Sequence, residues 1–172
     1  MRRWTRVLLY GSVLVLSALA VYVAMSPEEE VSGTATFKNI KTFRAQLRDR
    51  TMASHPDMVE AMSRAGLRRS ADIKGFLEGV KRVGDEVEIS GWGVDLGGDV
   101  LHLFVFVDGK LLSETVPKGE RRDVTQVLKL SDGVEENVKF SAKVKCRSGS
   151  TVRVLAVIDA GVYHIMNSER CP

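Results

Sequence analysis

Leu101–Val116 reads LHLFVFVDGKLLSETV, and its parsing decides the class of fold. The first seven residues, Leu101–Val107, are apolar at successive as well as alternate positions, so the strand they form should be buried on both faces and central in its sheet. Asp108-Gly109 follows, a dipeptide suited to a two-residue turn whose two positions both take positive φ. Lys110–Val116 (KLLSETV) returns as the second arm of a hairpin. Upstream, strand character begins at Gly75 and continues through Val83–Val94 (VGDEVEISGWGV), where Val87 and Ile89 alternate with acids and Ser90. Downstream, Pro117–Asp123 reads as a polar crossing loop. Val138–Cys146 (VKFSAKVKC) sets Val138, Phe140, Ala142 and Val144 on one face, and Arg147–Ser150 turns the chain. Thr151–Asp159 and Gly161–Asn167 complete the series. About seven short strands with turn signals every ten or so residues predict a mainly β domain, an immunoglobulin-like sandwich over residues 73–172.

A helical basic segment, 37–72, precedes it. Phe37, Ile40, Phe43 and Leu47 recur at three- and four-residue spacing, which predicts one amphipathic helix. Ser54-His55-Pro56-Asp57 carries a capping Ser, a first-turn Pro and an acid three residues on, so a second helix should start there and stop at Gly66. Leu67–Lys74 reads as a basic connector. Five arginines of this region, Arg44, Arg48, Arg64, Arg68 and Arg69, read either as a solvated helical surface or as a membrane-proximal face toward anionic lipid or an acidic partner.

Val7–Met25 (VLLYGSVLVLSALAVYVAM) contains no charged residue and is long enough to cross a bilayer as one helix. Arg2, Arg3 and Arg6 precede it in a basic leader, 1–6, and an acidic linker, 26–36, follows. The distribution predicts a cytoplasmic N-terminus and a C-terminal domain outside a bacterial inner membrane, in the periplasm. A cleaved signal peptide ending near Ala18-Leu19-Ala20 is the rival, and it predicts export equally. The formal net charge of +3 matches the three leader arginines, which leaves the rest near neutral and speaks against nucleic acid as a partner.

The two cysteines, Cys146 and Cys171, fit neither a CxxC nor a zinc pattern and in an oxidising compartment should form a disulfide. The last three strands should form an up-down-up meander; if the middle one lies flat between the others, the thiols are roughly 9–10 Å apart. That exceeds the ~7 Å reach between bridged Cα atoms. The bridge therefore requires the chain end to fold back or the two strands to lie in facing sheets.

Trp92, between Gly91 and Gly93, reads as a filler of the sandwich core, with stacking on a sugar ring as the alternative; the glycines suggest close backbone packing or a bulge. Asp95 and Asp123 read as turn caps, one of them pairing with Arg121, whose guanidinium can donate two bonds to a carboxylate. Asp95 with Asp99 is a sparse start for calcium. His55, His102 and His164 have no zinc-ligand spacing, although His102 and His164 could meet across strands. With no GxSxG elbow, phosphate-cradling glycine loop or HExxH, neither a cofactor nor a metal is expected, and an enzyme is a poor reading.

Several of these residues fall in one order: Gly75-Phe76, Gly91-Trp92-Gly93-Val94-Asp95, Val105-Phe106-Val107-Asp108-Gly109, Arg121-Arg122-Asp123-Val124, Phe140, and Val154-Leu155-Ala156-Val157. Over residues 73–167 the chain resembles a small bacterial β-sandwich domain with a Gly-Trp-Ala-x-Asp motif, often found beside glycosyltransferases and other cell-surface polysaccharide proteins. Gly93 stands where that family has Ala, and Arg122 where it has Pro. The resemblance implies an accessory binding or structural domain and carries no catalytic residues. The expected function is thus a membrane-anchored, non-catalytic binding or scaffold protein of an envelope complex. Carbohydrate binding is the alternative, against which the 6% aromatic content weighs, and a hydrolase with an unrecognised acid pair comes third.

Overall fold

The structure is a computed structural model that describes residues 37–131, 133–134 and 136–172. The expected leader, membrane-spanning helix and linker (1–6, 7–25 and 26–36) lie outside the described residues, and no described helix is long and apolar enough to cross a membrane. The described chain is mainly β, with two sheets and three short helices. In order these are α1 (Ile40–Arg48), α2 (His55–Arg64), β1 (Arg68–Arg69), β2 (Ile73–Val83), β3 (Glu86–Asp95), β4 (His102–Val107), β5 (Lys110–Thr115), α3 (Arg122–Leu128), β6 (Lys139–Val144), β7 (Thr151–Ile158) and β8 (Val162–Arg170). One sheet has five strands in the order β1-β8-β7-β4-β5, and the other has three in the order β2-β3-β6.

The two sheets stack as a sandwich. Ile73, Leu77, Val87 and Ile89 from the smaller sheet meet Leu103, Val105, Val154 and Ala156 from the larger in one buried core. The larger sheet has a second buried face. Phe104, Phe106, Leu155, Val157, Tyr163 and Ile165 point the other way and pack under Ile40, Phe43, Leu47, Met58 and Met62 of the helices. Successive residues of β4 therefore feed two cores, which is why LHLFVFV shows no polar alternation. Phe43 sets its ring edge-on to Phe104, centroids 5.8 Å apart.

Helix termini follow the local chemistry. The Asn39 side chain accepts the Thr42 N–H at 2.9 Å and starts α1. Ser54 and Asp57 form the expected reciprocal capping box at the start of α2, and Gly66 takes φ +74 just past its end. In the β4–β5 turn Asp108 and Gly109 have φ +47 and +80, as a two-residue hairpin turn requires. Gly109 is needed for a second reason: the α1–α2 loop crosses it so closely that a Cβ would lie 2.5 Å from the Met52 carbonyl carbon.

Three expectations are corrected. The last three strands are not one meander, since β7 and β8 pair with each other while β6 joins β3 in the opposite sheet. Cys146 and Cys171 are thereby brought together across the sandwich, with Cα atoms 6.3 Å apart, and they are bonded. The connector 67–74 is partly strand, because Arg68-Arg69 runs parallel to β8. The expected loop Pro117–Asp123 ends early, because α3 begins at Arg122.

Polar stitches close the same side of the sandwich as the disulfide. The Asn167 side chain of β8 accepts the Leu77 N–H at 2.7 Å and donates to the Leu77 carbonyl at 2.8 Å, standing in for a strand partner at the β2 bulge. Arg82 donates to the carbonyls of Cys146 and Pro172.

Candidate functional site

The candidate site is the outer face of the three-stranded sheet. Its geometry starts from glycine. Val87 and Ile89 point into the inter-sheet core, and counting on by twos reaches Gly91 and Gly93. A Cβ on Gly91 would lie 2.3 Å from the Phe76 carbonyl oxygen and 2.8 Å from Phe140. On Gly93 it would lie 2.9 Å from the Met166 methyl, and on Gly75, the cross-strand partner of Gly93, less than that. These glycines thus make room for Phe140 and Met166 in the core. Trp92, out of phase with them, faces outward. It does not fill the sandwich, as expected from sequence, but packs half-buried against a small separate cluster of Val94, Val124, Val138 and Leu128.

That cluster seats α3. Val124 is the buried residue of the helix, and Thr125 Oγ1 donates to the Arg121 carbonyl at 2.9 Å. Arg121, at the N-terminal boundary, binds Asp123 through Nε and Nη2 at 2.9 and 2.7 Å, and its Nη1 reaches Glu78 of the β2 bulge at 2.7 Å. The two carboxylates raise the Arg121 pKa further, and the guanidinium holds the Asp123 carboxyl down at about 2. The expected Arg121–Asp123 pair is present, with Glu78 as a third member that the sequence did not suggest.

Across the strands Phe76 is opposite Trp92, and Trp92 is opposite Lys139. Phe76 is 47% exposed, and Val127 on α3 is 80% exposed. Among the described residues, no helix covers this face beyond α3. The arrangement offers aromatic and aliphatic contact area on a face that also carries a guanidinium held by two carboxylates.

Asp95 lies apart from this group. It is buried, accepts the Asp99 N–H at 3.2 Å and so caps its turn as expected. It lines a cleft of about 170 Å³ with Asp99, Leu101, Val116, Pro117 and Asn137. Among the described residues no group of three or more His, Cys, Asp and Glu side chains is placed to hold a metal ion. His102 and His164 do not meet: His102 shares the helix-facing side of the large sheet with Phe104, and His164 shares the opposite side with Met166.

Of the five arginines, two are engaged in ion pairs. Arg44 on α1 grips Glu114 of β5 through Nε and Nη2 at 2.5 Å each, with His102 Nδ1 3.4 Å from the same carboxylate, and so ties the helix to the sheet edge. Arg64 pairs with Glu60 one turn earlier. Arg48 is exposed on α1, and Arg68 and Arg69 are exposed on β1.

No protein-family model matches the chain, and no curated protein matches it.

Proposed function

We propose that this chain is a non-catalytic adaptor of a bacterial envelope complex. In this reading it is held by residues 7–25 in the inner membrane, N-terminus inside, with an immunoglobulin-like sandwich in the periplasm that docks onto a membrane or periplasmic protein. The observation that carries the reading is the uneven cover of the two sheets. Helices bury the outer face of the five-stranded sheet, whereas the outer face of the three-stranded sheet carries only the short α3, and Phe76 of β2 and Val127 of α3 are exposed to solvent there, with the Arg121 cluster at the start of α3. Exposed large apolar side chains grouped with a rigid arginine resemble the anchors of protein interfaces. The Gly-Trp-Ala-type resemblance agrees with an accessory role, and a membrane tether would raise the local concentration of the partner.

The test is a mild-detergent pulldown of tagged full-length protein from its own membranes. One stoichiometric partner is expected, and Phe76→Ser with Val127→Ser should reduce its recovery at least tenfold while the disulfide still forms. Undiminished recovery with the double variant rejects this face as the interface.

A second reading, glycan binding, is favoured by the Phe76–Trp92 cross-strand row with carboxylates beside it. It predicts that a bound surface glycan quenches or shifts Trp92 fluorescence in a Trp4→Phe background, whereas a protein-docking face gives no response to sugars.

A further inference from the structure

Three basic side chains from three strands or their joints line one cleft. Arg69 comes from β1, Lys74 from β2 and His164 from β8, and Ser70, Ala71 and Ile73 complete the lining of a space of about 380 Å³. No carboxylate of the described residues lies within ion-pair distance of Arg69 or Lys74. Asp72, in the turn between β1 and β2, lies outside the lining, its N–H bonded to Ser70 Oγ at 3.0 Å. The strand on the other side of His164 offers only Ala156 opposite it, between Val154 and Ile158 on that face.

Gathering like charges over an apolar floor is unfavourable unless something of opposite sign joins them. We propose that the cleft is an anion site for a phosphate monoester group, borne by a soluble molecule or a lipid headgroup. The donors fit that chemistry. Arg69 offers a planar fork, Lys74 a mobile ammonium and Ser70 a hydroxyl, and two permanent positive charges match a phosphate dianion better than a carboxylate. His164 is the reporter of occupancy. Burial first, then the charges of Arg69 and Lys74, lower its pKa from 6.5. An anion held between those cations reverses their effect and raises it. This site is separate from the outer-face surface proposed above, and either can fail without the other.

The experiment is an NMR titration of the histidines in the full chain, reconstituted in nanodiscs of phosphatidylcholine. The His164 signal is assigned by its loss in His164→Gln. At matched ionic strength, replacing chloride by inorganic phosphate should raise the His164 pKa by about half a pH unit or more, equivalent to about threefold tighter binding to the imidazolium form. His55 and His102 should not respond. The pair Arg69→Gln and Lys74→Gln should abolish the response with those two signals in place, and Lys74→Gln alone should weaken it should the pair fail to fold. Nanodiscs containing phosphatidic acid separate the sources: a His164 pKa already raised there, and unmoved by added phosphate, assigns the lipid headgroup. Response to inorganic phosphate in both kinds of disc assigns a soluble ligand. A His164 pKa that does not distinguish phosphate from chloride in phosphatidylcholine discs, and is unchanged by phosphatidic acid, overturns the site. A response that survives both substitutions overturns it too.

Discussion

The five-stranded sheet is buried on both faces, whereas the outer face of the three-stranded sheet is covered only where α3 seats on Val94 and Val138. β4 and β7 contribute Phe104, Phe106 and Leu155 to the helix side and Leu103, Val105 and Val154 to the inter-sheet side. β6 instead alternates, with Phe140, Ala142 and Val144 inside and Lys139, Ser141 and Lys143 outside. The larger sheet thus holds the fold together through two cores at once. The smaller sheet keeps one face for other use, and its outer residues are constrained by what they present to solvent more than by packing.

Substitutions can break this contrast. Phe104→Ala should destabilise the protein by about 3–5 kcal/mol, because the void opens between sheet and helices. Ser141→Ala, on the open face, should stay within about 0.5 kcal/mol. Urea midpoints of the two variants measure the difference, and comparable losses would mean that the outer face is not free. Next in size is the bridge between the sheets. Its cysteines are 25 residues apart in sequence, and opening a loop of that length by Cys146→Ser with Cys171→Ser should cost about 3.5 kcal/mol through unfolded-chain entropy. Reductant should lower the melting temperature of the wild-type protein and leave that of the double variant alone.

The glycines give a finer probe. Gly91→Ala drives a methyl against the Phe76 carbonyl, which cannot move without breaking β2–β3 pairing, and should destabilise by about 1–3 kcal/mol. Gly75→Ala has its closest approach to the flexible end of Met166, with the Trp92 carbonyl oxygen at 3.0 Å, and should cost less than Gly91→Ala. Gly79→Ala has its nearest neighbour, Ser90 Oγ, 4.0 Å away and should be close to neutral. Any other ranking in thermal unfolding would place the tight packing elsewhere. The smallest effect is electrostatic. Asp123 titrates at about 2 rather than near 3.8, so the pairing contributes to stability above about pH 3.8 and is lost as the pH falls toward 2. The carboxylate is exposed, so the measurement of choice is its NMR titration, which should move back toward 3.8 in Arg121→Gln.

The contrast between the sheets also explains what could be read from sequence. The double burial of Leu101–Val107, the Asp-Gly turn and the Ser54 capping box are local signals, and each appears in the structure where expected. Sheet membership is not local. The alternation in Val138–Cys146 specifies an inward face but not which sheet the strand joins, so the meander was the wrong inference. β1 carries no apolar residue to announce it. The N-cap of α3 is Arg121, whose side chain makes no capping bond, so the usual start signal is missing. The side on which Trp92 sits was legible in principle, since steps of two from Val87 and Ile89 land on the glycines. Two residues without side chains conceal that phase from any count of apolar positions.

The disulfide has a mechanical consequence. A chain anchored near its N-terminus and pulled from its far end would normally unravel through every strand. Here the crosslink shunts tension from Cys146 directly to Cys171, so β7 and β8 between them carry none of it. Roughly 85 Å of contour is withheld from extension, at about 3.4 Å for each of the 25 residues of separation. Under load β7 and β8 would remain as a closed hairpin, keeping half of the inter-sheet template on which the released strands can re-form.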